Sequence, residues 1–307
     1  MKHYSVLKNE VIEGLNIKSD GVYVDATLGY AGDSKEVLKR IKRGFLFAFD
    51  QDEEAIKYSD AELSKIGDNY KIIYSNFKDL KKCLNDENIT LVDGFIFDLG
   101  LSSPQIDDAE RGFSFMKDAA LDMRMDLSGE LSAKMVVNEY SLDDLTRVFR
   151  EYGEEDFSRP IAKMIVSERG KKEINTTLEL VEIIKKSVPY KYFITKHPER
   201  QIFQAIRIEV NNELDIIENT LRDAVSMLKP GGRICVITFH SLEDRIVKNV
   251  FKSLSEVNPL VKGLPVIPDE YKPVIKLINK KPILPSELEL EENSRSRSAK
   301  LRIIERL

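Results

Sequence analysis

The chain has 307 residues, 42% of them hydrophobic and 32% charged, with a formal net charge of −5. That balance excludes global disorder, and the length suffices for one large domain or two smaller ones. No apolar run is long enough to span a bilayer and no signal peptide precedes Tyr4, so no membrane partner is expected and a cytoplasmic location is the default. Cys83 and Cys235 belong to no CxxC pair, and His3, His197 and His240 are the only imidazoles, so reduced thiols and no metal site are expected. The mild acidity does not exclude nucleic acid, because affinity depends on a local patch that neutralises phosphates.

Short β-branched or aromatic runs alternate with amphipathic stretches through the first hundred residues. Strands are predicted at Gly21 to Thr27, Gly44 to Phe49, Lys71 to Tyr74 and Asp93 to Asp98. Helices are predicted over Ser34 to Arg40, from Asp52 towards Ile66 and near Asp79. This pitch implies a parallel, doubly wound α/β sheet. From Asp107 to Gln204 the periodicity is helical, with capping-box patterns at Ser141 and Thr176 and a loop predicted around Pro189 to Pro198. The α/β pattern returns with one long helix over Ile206 to Leu228, a Lys229-Pro230-Gly231-Gly232 turn and a strand at Arg233 to Thr238. Pro259 to Pro285 reads as a surface excursion before a last strand at Ala299 to Glu305. The simplest organisation is one α/β domain, 1–106 and 205–307, interrupted by an all-helical insertion at 107–204.

In such a sheet ligands bind beyond the carboxyl ends of the strands. Asp25-Ala26-Thr27-Leu28-Gly29-Tyr30-Ala31-Gly32-Asp33-Ser34 follows the first strand, with Gly29 and Gly32 permitting close backbone approach to a ligand. Asp50 ends the second strand, placed to accept from ribose hydroxyls. Alone, the glycine loop is equally a structural turn, and Asp50 could instead cap the next helix, the lesser alternative; together they favour a nucleoside cofactor. The loop lacks the complete G-x-G-x-x-G fingerprint for a dinucleotide pyrophosphate and has no Walker lysine. A ribose-bearing cofactor without phosphate, S-adenosylmethionine, fits better. The Pro-Gly-Gly turn agrees, because it recurs in class I methyltransferases.

The fourth strand runs into Phe97-Asp98-Leu99-Gly100-Leu101-Ser102-Ser103-Pro104-Gln105, which loosely resembles the (Asp/Asn/Ser)-Pro-Pro-(Tyr/Phe) loop of amine methyltransferases. An exocyclic amine conjugated to a ring is a poor nucleophile, so acceptors must engage its hydrogens while it is held in line with the methyl group. Asp98, Ser102, Ser103 and Pro104 are the candidate catalytic residues. The stretches His3 to Leu7, Asp25 to Gly32, Asp98 to Gln105, Asp107 to Met116, Leu121 to Asp126, Phe203 to Asn211, Phe239 to Arg245 and Ser294 to Lys300 span nearly the whole chain. On them the sequence resembles the bacterial small-subunit ribosomal RNA cytosine-N4 methyltransferase family, H type. The resemblance implies a class I, Rossmann-like methyltransferase domain, S-adenosylmethionine as donor, and N4-methylation of a cytidine in the decoding region of 16S ribosomal RNA within the small ribosomal subunit. It places cofactor contacts at Ala31, Gly32, Asp33, Asp50, Phe77, Asp98 and Gln105, with Phe77 against the adenine and Asp50 on the ribose; Gly29 joins them from the loop. One departure stands out: the family usually has Gly-Gly-His where this chain has Ala31-Gly32-Asp33. The aspartate, read as an anion, either bonds the cofactor's amino group or weakens its binding.

RNA-binding candidates are Arg111, Arg124, Arg295, Arg297 and Lys300, with further basic residues at Arg159 to Lys172 and at Lys185 to Arg200 among aromatics. Reaching N4 requires a base taken out of its stack, and the insertion and the Asp98 loop are expected to form the walls of its pocket. His240 either lines that pocket or caps the helix after it; capping is the expected role. The rival functions are an amine methyltransferase acting on DNA, a ribosome-assembly factor with weakened cofactor binding, and a nicotinamide dehydrogenase, which the incomplete glycine fingerprint disfavours.

Overall fold

The computed structural model describes residues 5–257, 259–261 and 263–307, and within them not the side chains at 103, 104, 259 and 270. The resemblance quoted at His3 and Tyr4 lies outside the described residues, as do the side chains of Ser103 and Pro104. In chain order the helices are α1 (Lys8–Leu15), α2 (Gly32–Arg40), α3 (Glu53–Leu63), α4 (Leu80–Asp86), α5 (Ser103–Asp107), α6 (Ala133–Glu139), α7 (Leu142–Glu151), α8 (Ser158–Arg169), α9 (Thr177–Ser187), α10 (Tyr190–Lys196), α11 (Pro198–Asn211), α12 (Asp215–Ser226), α13 (Ser241–Ser255) and α14 (Glu287–Glu292). The strands are β1 (Val22–Asp25), β2 (Phe45–Asp50), β3 (Tyr70–Tyr74), β4 (Val92–Asp98), β5 (Leu228–Thr238), β6 (Ile275–Leu277) and β7 (Lys300–Arg306). The chain divides into two units, residues 1–100 with 214–307, and residues 101–213. The first cut falls six residues before the expected one and the second nine after it, which keeps α11 whole within the helical unit.

The first unit holds a seven-stranded sheet in the order β3-β2-β1-β4-β5-β7-β6. The pairs β1–β2, β1–β4, β2–β3 and β4–β5 are parallel, and β7 runs antiparallel to both neighbours. The order reverses between β1 and β4, the switch point at which doubly wound sheets bind ligands. Alternation along each strand sends side chains to opposite faces. Val24, Phe47, Phe49, Phe95, Phe97, Ile234 and Val236 pack with Leu80, Leu84, Leu221 and Val247 from α4, α12 and α13 on one face. Tyr23, Leu46, Ala48, Ile96, Cys235 and Ile237 pack with Val11, Leu15, Val37 and Leu38 from α1 and α2 on the other. Both faces are covered, which is why the inner strands read as continuous apolar runs.

The expected long helix over 206–228 is two helices. Asn212 adopts a left-handed conformation (φ 49°, ψ 44°) as the C-cap of α11, and its N–H donates to the Ile208 carbonyl. Asparagine tolerates that region, so the break follows from local chemistry that apolar periodicity does not register. The Pro189–Pro198 segment, expected as a loop, is helical. Pro189 is the N-cap of α10 and Pro198 occupies the first turn of α11, where a missing N–H costs nothing. The Pro-Gly-Gly segment lies inside β5: Leu228 pairs with Val92, Arg233 pairs with Gly94, and the residues between bulge out with Gly231 at φ 79°. The region expected as surface excursion contributes β6. In the helical unit the predicted caps hold, with Ser141 accepting from Asp144 N–H and Thr176 and Glu179 forming a reciprocal capping box. This unit has its own core of Met123, Val136, Phe149, Ile165, Ile184, Ile202 and Ile206.

Candidate active site

The carboxyl ends of β1, β2 and β4 gather acidic groups. Asp25 is 1% exposed; its Oδ2 accepts from Ser34 Oγ at 2.6 Å and its Oδ1 from Thr27 N–H at 3.2 Å. Burial, partly offset by those bonds, pushes its pKa up to about 6. Asp98 donates its own N–H to Thr27 Oγ1 at 2.6 Å, which ties the ends of β1 and β4 together. Its Oδ1 is sealed from solvent and makes no hydrogen bond. Burial, with Asp25 and Glu243 adding negative charge, pushes the Asp98 carboxyl up to about 8.

The glycine loop is held at both ends of one residue. Gly29 N–H donates to Asp50 Oδ2 at 2.7 Å, and the Gly29 carbonyl accepts from Ser59 Oγ at 2.7 Å. Asp50 Oδ1 accepts from Asp52 N–H at 2.9 Å, and burial lifts Asp50 to about 6 despite these bonds. Asp50 therefore shapes the loop as well as offering lone pairs to a ribose. Ala31, at φ 59° and ψ 31°, sits left-handed just before α2, a conformation that a Cβ disfavours. A Cβ on Gly32 would collide with Ser5 Oγ, so the helix start lies tight against the N-terminal segment.

Asp33, read from sequence as an anion, lies where burial disfavours the charged form. It is 6% exposed with Oδ1 unpartnered. Burial first, then Asp98 and Asp25, hold its carboxyl well above the ordinary range, against a partial pull from Lys8. That direction favours the neutral form, which can donate as well as accept. Phe77, just after β3, meets Phe97 edge-on with ring centroids 6.1 Å apart, which fixes its ring beside the sheet edge.

Beyond β5, the start of α13 is closed by His240 and Glu243 together. Glu243 Oε2 accepts from the N–H of Phe239 at 2.8 Å and of His240 at 3.3 Å. The His240 Nε2 lies at an ion-pair distance of 3.0 Å from Glu243 Oε1. The expected capping role of His240 agrees with this: it is the N-cap residue of α13 and forms a capping box with Glu243. Asp25, Ser34 and Glu243 were not singled out in sequence; the signal available was an acid at a strand end or three residues into the next helix.

In the helical unit Gln105 and Ser102 bond reciprocally, Oε1 accepting from Ser102 N–H at 3.0 Å and Ser102 Oγ from Gln105 N–H at 3.4 Å. Arg124 grips Asp122 with Nε and Nη2 and donates Nη1 to the Leu127 and Gly129 carbonyls. Arg111 Nη2 donates to the Arg124 and Met125 carbonyls. Both arginines thus brace the loop at 122–129. In the first unit Arg295 and Arg297 are exposed on a 3-10 turn, whereas Lys300 pairs with Asp244 at 3.2 Å beside the buried Arg302–Asp244 pair. The structure therefore brings Gly29, Ala31, Gly32, Asp33, Asp50, Phe77 and Asp98 to one unit, and places Ser102 to Gln105, Arg111 and Arg124 on the other.

The sequence model of the MraW methylase family matches residues 1–307. Ribosomal RNA small subunit methyltransferase H of Clostridioides difficile (strain 630) is 52% identical over 307 residues, 99% of each chain. Similar solved structures include a putative rRNA-methylase from Clostridium thermocellum, 13% identical with a TM-score of 0.46, and SMU.1697c, a putative methyltransferase from Streptococcus mutans in complex with SAH, 12% identical with a TM-score of 0.42; the match covers 100% of both chains in each case. The chain belongs to the MraW methylase family, S-adenosylmethionine-dependent enzymes that methylate the N4 amine of a cytosine in small-subunit ribosomal RNA.

Proposed function

We propose that the acceptor is a cytidine in the decoding region of 16S ribosomal RNA, presented by the small ribosomal subunit in the cytoplasm, and that the donor sits over the Asp25–Asp33–Asp98 edge. One observation carries the placement: Asp33 and Asp98 each hold a sealed, unpartnered carboxyl oxygen there, and each is pushed towards its neutral form by burial and by other acids. Buried polar atoms of this kind call for a partner, and a ligand bearing an ammonium and a sulfonium supplies both charge and donors. The bound donor contributes an electrophilic methyl group on positively charged sulfur.

The chain's own residues do the rest. Asp50 offers its remaining lone pairs to ribose hydroxyls while pinning Gly29. Phe77 presents an aromatic surface for the adenine. Asp98 accepts from the N4 amine and aligns its lone pair with the methyl group, with Ser102, Ser103, Pro104 and Gln105 continuing the same segment. Gly29, Ala31 and Gly32 bring backbone close to the donor. The helical unit serves as the RNA-recognition part. On α10 Tyr190 and Ile194 are exposed beside Lys191 and Lys196, a mixture of rings and cations suited to single-stranded RNA. Arg295 and Arg297 offer phosphate contacts from the first unit.

Mass mapping of nucleosides from small subunits incubated with the protein and S-adenosylmethionine tests the reading. A single N4-methylcytidine in the decoding region is expected, with none on DNA. Methylation of DNA, or of another ribosomal site, contradicts it.

A further inference from the structure

We propose that Lys8 binds the carboxylate at the methionine end of the donor while Asp33 takes its ammonium; this rests on the placement of S-adenosylmethionine proposed above. The two residues begin neighbouring helices. Lys8 is the first residue of α1 and Asp33 the second of α2, and the two helices pack together. The N-terminal strap fixes how their starts meet. Ser5 Oγ occupies the space that a Cβ on Gly32 would need, and Val6 and Leu7 are buried in the same core cluster as Leu28 and Ala31 of the glycine loop. Leu7 N–H donates to Glu289 Oε1 at 2.8 Å, which ties the strap to α14. Lys8 follows directly on these anchored residues.

Lys8 is half-buried, and its ammonium makes no hydrogen bond or ion pair among the described residues. A cation gains nothing at the amino end of a helix, where the macrodipole is itself positive, so α1 gives no structural reason for a lysine there. The start of α2 is also open: its N-cap, Ala31, has no side chain to accept from the first-turn N–H groups. Beside this positive patch lies an acid. Asp33 is 6% exposed, with Oδ1 sealed and unpartnered. Burial first, then Asp98 and Asp25, push its carboxyl up, and Lys8 pulls it back. The ammonium of Lys8 is thus near enough to be felt by Asp33, yet no ion pair joins the two among the described residues.

An α-amino acid fits such a gap. Its carboxylate and ammonium sit on one carbon and carry opposite charges, so each faces the residue of opposite charge without the two residues meeting. The carboxylate accepts from Lys8 and from N–H groups at the start of α2, the arrangement by which helix starts hold anions. The ammonium donates to Asp33 Oδ1, meeting the lone pairs that the fold leaves unused. Lys8 and Asp33 therefore read the amino-acid end of the donor, whereas Asp50 and Phe77 read its nucleoside end. A donor stripped of its carboxylate keeps its ammonium, sulfonium, ribose and adenine, and loses only what Lys8 recognises.

Calorimetric titration of the full chain with S-adenosylmethionine, and with decarboxylated S-adenosylmethionine, reads this contact apart from activity. Wild type should favour the intact donor about tenfold, the scale of one hydrogen bond to a charged group. Lys8→Met is expected to weaken the intact donor about tenfold, to leave the decarboxylated donor within about twofold, and to keep the melting temperature. Lys8→Arg should restore most of the preference. Equal losses for both donors, or no loss for either, overturn the role of Lys8. Phe77→Ala is the parallel control and should weaken both donors alike, because both carry adenine. If Phe77→Ala weakens both while Lys8→Met changes neither, only the role of Lys8 falls; if neither variant alters either titration, the placement of the donor falls too.

Discussion

The two carboxylates of β4, Asp93 near its start and Asp98 at its end, are built oppositely. Asp93 is 6% exposed yet fully engaged: Lys229 Nζ lies 2.7 Å and Lys18 Nζ 3.2 Å away, and Val22 N–H donates at 3.0 Å. Burial raises its pKa, but the Lys229, Val22 and Lys18 bonds outweigh it, and the group sits below the ordinary carboxylate range. Asp98, five residues on, has an unpartnered oxygen and acids for neighbours, and is pushed up to about 8. The first arrangement closes a sheet edge. The second stores an unmet demand for positive charge, which folding alone does not reward.

Substituting the two residues gives the largest contrast. Asp98→Asn is expected to lower the methyl-transfer rate about 100- to 1,000-fold, the scale of losing one aligned transition-state contact, in a folded protein. Asp93→Asn should leave the rate within twofold and cost about 1 kcal/mol of stability, since both lysines are well exposed. Rate assays and thermal melts on the pair would break the comparison if the effects were exchanged.

The arginines extend it. Arg295→Ala with Arg297→Ala should weaken subunit binding about tenfold and flatten its salt dependence, with cofactor affinity unchanged. Arg124→Ala, which frees the loop at 122–129, should instead appear as a lowered melting temperature, because its guanidinium is spent on Asp122, Leu127 and Gly129. Filter binding at several salt concentrations and thermal melts separate the two outcomes.

Stability against pH sharpens the comparison further. Asp98 binds its proton more tightly when folded than unfolded, so its contribution is full below about pH 4 and is lost as pH rises towards 8. Asp93, held low, contributes above pH 4 and is lost as the solution is acidified below that. Melts of the ligand-free protein should therefore fall between pH 6 and 8, and Asp98→Asn should flatten that limb. The smallest effect concerns the loop. Ala31→Gly should stabilise the protein by about 1 kcal/mol, by relieving a left-handed alanine, a shift measurable by denaturant unfolding.

Much of this was legible in the residues. The inner strands announced themselves as apolar runs because both faces of the sheet are covered, and Asp50 and Asp98 stood out because each ends such a run. The helix break at Asn212 was hidden because apolar periodicity continues across it, and α10 because prolines at helix starts look like loop residues. The short β6 lay among prolines. Charge environment was the least accessible feature: neither the burial of Asp33 beside Asp98 and Asp25 nor the carbonyls that Arg124 holds can be read from the residues.

Calorimetric titration of the protein with S-adenosylmethionine near pH 7.5, in two buffers of different ionisation enthalpy, tests the central claim most directly. A cationic ligand over Asp33 and Asp98 should displace a proton, so the account predicts saturable binding whose heat differs between buffers, with Asp98→Asn reducing that difference. Equal heats in both buffers, or no binding at millimolar ligand, would contradict it.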